Sequence, residues 1–141
     1  MNISARNIFK GTVTSIVKGA VNTEVTIALG DGTRMVSIIT VGAAERLGLK
    51  EGATASAIVK ASSIIVGTNL QGAELSARNI VRGRVSKVIE GPVSTEVDIE
   101  IGGGNTLSAV ITHESSKKLG LAAGADASAI FKASSVIIGV E

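Results

Sequence analysis

Cysteine, tyrosine and tryptophan are absent from this chain of 141 residues, and its aromatic side chains are limited to Phe9 and Phe131. Without thiols there can be no disulfide, no thiolate metal site and no cysteine nucleophile. Two aromatics leave little with which to stack on bases, sugars or flat cofactors. Charge of one sign is also scarce: 14 Lys and Arg face 12 Asp and Glu, and a net +2 is too small to define a polyanion-binding surface. No apolar run approaches the roughly 20 residues that cross a bilayer, and the opening MNISARNIFKG has no apolar leader core. The expectation is a cytoplasmic protein with no membrane partner. The Asn2-Ile3-Ser4 sequon carries no weight without a secretory leader.

What is present is repetition. SARNI begins at Ser4 and again at Ser76, and KASS begins at Lys60 and again at Lys132, both offset by 72. Aligned without a gap, residues 4–67 and 76–139 share 32 identities in 64 positions. The polar stretch Thr68 to Leu75 reads as a tether, so two domains are expected, residues 1–69 and 70–141. Their formal charges are +3 and −1.

Within the first repeat Val25, Ile27 and Leu29 alternate with polar or small residues, the period of a half-buried strand. Gly30-Asp31-Gly32 supplies a turn and Met35 to Ile39 a returning strand. Ile8 to Val17 reads as a long strand that Gly11 is placed to bend or bulge. VGAAERLGLKEG has helical spacing, with Thr40 as N-cap and Gly48 as terminator; HESSKKLGLAAG repeats the plan behind Thr112. Thr54 to Lys60 and Ser63 to Val66 complete the order β-β-β-α-β-β. The expected fold is all-β: two tandem OB-type five-stranded barrels, each with a short helix between strands 3 and 4. Barrels this small and poor in aromatics have marginal cores, and oligomerisation is the natural remedy. Ile64-Ile65-Val66 and Val136-Ile137-Ile138, apolar on both strand faces, are expected to turn one face to the core and the other to a neighbouring subunit, or else to be buried within one domain.

Catalysis finds no support. The lone histidine, His113, aligns with Val41 and so belongs to one repeat only, and there is no metalloprotease, nucleophile-elbow or P-loop motif. Glu24 and Glu96 match across repeats but read first as rim or interface charges. SARN and KASS differ: each sets one cation beside small hydroxyl or amide residues with no carboxylate nearby in sequence. An Arg6 or Arg78 fork, a Lys60 or Lys132 point charge and the Ser4 and Ser62 hydroxyls, with their counterparts, suit a tetrahedral oxyanion. At roughly 1.5 to 3 kcal/mol per charge-assisted bond, four to six bonds reach the about −8 kcal/mol of micromolar binding. The competing reading is structural: Ser4 caps a turn, Arg6 forms a surface ion pair and Lys60 interrupts an apolar strand edge.

Two tandem units with SARN near the start, G-x-V-x-x-I/V next and KASSIIVG or KASSVIIG at the end resemble the Mop family of molbindins. The resemblance covers nearly all of both halves. It implies OB-type domains that bind molybdate or tungstate between subunits, a homotrimer for a two-domain chain, and no other cofactor. On this sequence it implies that Ser4, Ala5, Arg6, Asn7 and Ser76, Ala77, Arg78, Asn79 form one side of each site. Lys60, Ala61, Ser62 and Lys132, Ala133, Ser134 form the other, with Thr40 and Thr112 facing the anion or serving as plain N-caps. It further implies axial sites, with Gly19, Val21, Asn22, Thr23 and Gly91, Val93, Ser94, Thr95 as candidates. The function expected is intracellular molybdate storage and homeostasis, by binding and not by catalysis. The rivals are a single-stranded nucleic-acid module, which salt-dependent oligonucleotide retention would reveal, and a molybdate sensor dependent on a separate partner.

Overall fold

The computed structural model describes residues 1–141. Ten strands and two short helices follow in chain order. The first half holds β1 (Asn7–Lys18), β2 (Asn22–Ala28), β3 (Arg34–Thr40), α1 (Val41–Arg46), β4 (Thr54–Val59) and β5 (Ile65–Gly67). The second holds β6 (Asn79–Glu90), β7 (Ser94–Gly102), β8 (Asn105–Thr112), α2 (His113–Leu119), β9 (Asp126–Phe131) and β10 (Ile137–Gly139). A single 3₁₀ turn, Ala61–Ser63 or Ala133–Ser135, precedes each fifth strand. The β-β-β-α-β-β order is therefore present twice, in two curled five-stranded sheets of the OB type.

The sheets do not follow the sequence repeats throughout. One has strand order β10-β4-β1-β2-β3 and the other β5-β9-β6-β7-β8, so each half lends its fifth strand to the other. Ile65 stands opposite Ile130, and Ile137 opposite Ile58, in antiparallel register. Only the inward faces of the apolar fifth strands are thus covered within one chain. Ile64, Val66, Val136 and Ile138 are buried, while Ile65 and Ile137 face outward. One cluster of 24 buried apolar residues runs through both sheets, as the exchange of strands requires.

The long strands β1 and β6 each carry an irregularity, but not at the glycine. The register slips between Val13 and Ser15, and between Val85 and Lys87, one turn of pleat beyond Gly11 and Gly83. The glycines serve close approach instead: a Cβ on Gly11 would lie 2.7 Å from Ile27 Cγ2 and press on the Ala28 carbonyl, and one on Gly83 would lie 2.6 Å from Ile99 Cγ2 and press on the Glu100 carbonyl. The helix stops are as the sequence suggests. The Thr40 hydroxyl accepts from the Ala43 amide and that of Thr112 from the Ser115 amide, each at 3.1 Å. Gly120 ends α2 with φ +63, and Gly48 follows α1 with φ +62.

Where the two β-hairpin tips meet, the repeats part ways. A Cβ on Gly103 would lie 3.0 Å from Asp31 Cβ, so a side chain on the second tip would crowd the carboxylate carried by the first. Hydrogen bonds from the Thr33 hydroxyl and amide hold the Asp31 carboxyl below the usual carboxylate range.

Candidate functional site

The β1–β4 ladder starts with Asn7 opposite Val59, and the β6–β9 ladder with Asn79 opposite Phe131. Arg6 and Lys60 therefore flank the same ladder end, as do Arg78 and Lys132. Antiparallel pairing joins the two motifs, 54 residues apart in sequence, on neighbouring strands. In the second half Ser76, Ala77, Arg78, Lys132, Ala133 and Ser134 line one cavity of about 600 Å³. Its remaining wall is apolar: Ile38 from the first half, Ile65 and Ile130 on the exchanged pair, and Leu70 and Leu75 from the tether. Lys60 and Lys132 are exposed and take part in none of the chain's ion pairs.

The arginines are not free of carboxylates, contrary to the expectation from their sequence neighbours. The Arg6 guanidinium donates to Glu96, and that of Arg78 donates to Glu24. Both pairs cross between halves. Sequence proximity could not reveal this because the partners lie on β2 and β7 of the opposite repeat. The available signal was that Glu24 and Glu96 match at equivalent positions.

Asn7 and Asn79 are also taken. Each is buried, at 1% and 2% exposure. Asn79 Nδ2 donates to the Val36 carbonyl and its Oδ1 accepts from the Val36 amide, both at 2.8 Å. Asn7 makes the same two bonds with the Ser108 backbone, at 2.8 and 2.7 Å. The side-chain amide thus imitates a strand residue on the open edge of β3 or β8, satisfying backbone groups that would otherwise be orphaned. Expected as anion ligands, these asparagines instead clasp the two halves together.

The axial candidates divide. Val21 and Val93 are strongly exposed, at 71% and 79%, on the turns that run from Gly19 or Gly91 to Asn22 or Ser94, the first residues of β2 and β7. Their carbonyls accept from Val41 N–H and His113 N–H, which pins each turn to the start of its helix. Thr23 and Thr95 are buried instead; Thr23 lines a hollow against its own helix, and Thr95 Oγ1 stands 3.5 Å from His113 Nδ1. These threonines do not share the exposed face of the turns.

A TOBE-domain model matches residues 3–66 and again 75–138. The chain belongs to the TOBE family. Its two TOBE domains are of the Mop type, in line with 41% identity over 138 residues to the molybdenum-pterin-binding protein MopA of Rhodobacter capsulatus, covering 98% of this chain and 52% of that protein. It is also 42% identical over 140 residues to the molybdenum transport protein ModE of Azotobacter vinelandii, covering 99% of this chain and again 52% of the relative. The chain thus spans about half the length of these curated relatives. A solved structure matches end to end: the cytoplasmic molybdate-binding protein ModG with molybdate bound, at 45% identity, TM-score 0.97 and full coverage of both chains. No helix of this TOBE protein is long and apolar enough to cross a membrane.

Proposed function

We propose that this chain is a cytoplasmic molybdate-binding protein that stores and buffers the oxyanion without transforming it. One observation carries the reading: Ser76, Ala77 and Arg78 of SARN and Lys132, Ala133 and Ser134 of KASS converge on a single cavity. The set is rich in N–H and O–H donors and suits a tetrahedral dianion. The end-to-end likeness to a molybdate-bound relative supports the same assignment. Ser4, Ala5, Arg6, Lys60, Ala61 and Ser62 form one binding set, and Ser76, Ala77, Arg78, Lys132, Ala133 and Ser134 the other. Tungstate, of the same shape and charge, is the expected alternative ligand.

Both sets lie open on the single chain, beside outward-facing Ile8, Ile65, Ile80 and Ile137. A homotrimer in which a neighbouring subunit closes each site accounts for both the openness and the apolar rim. Nucleic-acid binding is disfavoured because Phe9 and Phe131 are both in the core, at 4% and 1% exposure, and no aromatic remains for stacking.

Equilibrium dialysis against molybdate at fixed ionic strength, with sulfate and phosphate as competitors and the oligomer mass measured in parallel, tests the proposal. Saturable uptake of two or more molybdates per chain in a trimer, resistant to excess sulfate, is expected. No uptake would make SARN and KASS structural segments and bring the nucleic-acid and partner-dependent readings forward.

A further inference from the structure

We infer that Glu24 and Glu96 are built-in counter-anions that limit the affinity of the oxyanion sites; the inference rests on the oxyanion reading and extends it to residues outside SARN and KASS. Each site has two cations of different standing. Lys60 and Lys132 have no carboxylate partner, whereas Arg6 and Arg78 each carry one, supplied by the opposite repeat. The carboxylates are partly shielded, at 21% and 28% exposure, against 45% and 53% for the arginines. Glu24 is fixed on β2 in register with Ile38, which lines the cavity of the Arg78 site. It is therefore anchored at the rim of the site while the guanidinium remains reachable.

Two consequences follow from charge. A bound dianion and the glutamate share one guanidinium, and the remaining N–H groups of the fork allow both to bond at once. The dianion then binds beside a like charge, which lowers its affinity relative to the same site without that charge. A store must give up its anion, and a fixed like charge on the same guanidinium serves that end by weakening the hold on it. The reciprocal wiring places each limiting charge on the repeat that does not own the site.

Titration calorimetry of the full chain with sodium molybdate tests this, using wild type, E24Q, E96Q and the double variant. Glutamine keeps the shape and an acceptor oxygen for arginine but removes the charge. Each single variant is expected to tighten one set of sites about threefold or more, and the double variant both sets, with the thermal unfolding midpoint little changed. A merely structural ion pair would show the opposite pattern, a lower midpoint with unchanged affinity, and would overturn the inference. Weaker binding in E24Q or E96Q would also overturn it, by making the carboxylate an aid to binding. Should a glutamine variant fail to fold, E24D and E96D, which withdraw the charge by one methylene, are expected to tighten binding to a smaller degree, and unchanged or weaker affinity there overturns the inference. A wild-type chain that takes up no molybdate defeats the oxyanion reading itself, whereas normal wild-type uptake with unaltered variants defeats this inference alone.

Discussion

The two halves share the Asn clasp and the Arg–Glu pair that join them, but they differ in their interiors and at two other contacts between them, the hairpin tips and Ser37–Val136. SARN, KASS, the Asn clasp and the Arg–Glu pair recur at matching positions, and the clasp and the ion pair each join one half to the other. The local interiors have drifted. Phe9 stands where the second half has Val81, and Phe131 where the first has Val59, so each barrel holds one phenylalanine on a different strand. The covers differ too. Leu70 of the tether packs beside Gly67 and Ile130, whereas Met1 takes that place beside Gly139 and Ile58. Residues of the clasp and the ion pair are constrained twice, by their own strand and by the one they meet; interior residues need only conserve volume.

If the clasp is the shared element, breaking it should cost the same in either half and more than any other single change. Asn79→Ala strands the Val36 amide and carbonyl, and Asn7→Ala those of Ser108. Each is expected to lose about 2 to 4 kcal/mol, measured by urea unfolding followed by circular dichroism. A difference above about 1 kcal/mol between the two would show that the halves are not equivalently joined.

Gly83→Ala comes next, at about 1 to 3 kcal/mol, because the new methyl meets Ile99 and a backbone carbonyl that cannot swing aside. Gly11→Ala should match it. Smaller in free energy is Arg78→Ala, expected to weaken one set of molybdate sites about tenfold while leaving those built on Arg6 intact, read by titration. Loss of all binding would mean the two sets are coupled.

Much of this was legible in the sequence because periodicity and turn chemistry act locally. Alternation in Val25 to Leu29, the Thr40 and Thr112 caps and the glycine stops were readable for that reason. The exchange of β5 and β10 was not, since an apolar Ile-Ile-Val run pairs equally well with its own β4 or with the other repeat's β9. The site was half legible. Residue chemistry pointed to Arg and Lys as anion partners, but Glu24, Glu96 and the β3 edge reach them only through tertiary pairing. Asn7 and Asn79 look like ligands in a string of donors and become clasps only once an open strand edge faces them.

The smallest expected effect probes a difference. Ser37 is fully buried on β3, and its hydroxyl donates to the Val136 carbonyl at 2.6 Å, tying the entry of the exchanged β10 to the first sheet. The second half has Ala109 in the equivalent place, also fully buried, with no hydroxyl to reach Ile64. One exchanged strand is therefore anchored by a side chain and the other by packing and ladder bonds alone. Ser37→Ala should cost about 0.5 to 1.5 kcal/mol and raise hydrogen exchange at Ile137 to Gly139 towards that of Ile65 to Gly67. The reverse change, Ala109→Ser, should slow exchange at Ile65 to Gly67 if the space beside Ile64 admits the hydroxyl. If Ser37→Ala leaves exchange at β10 unchanged, the anchor adds nothing and the two exchanged strands are held alike.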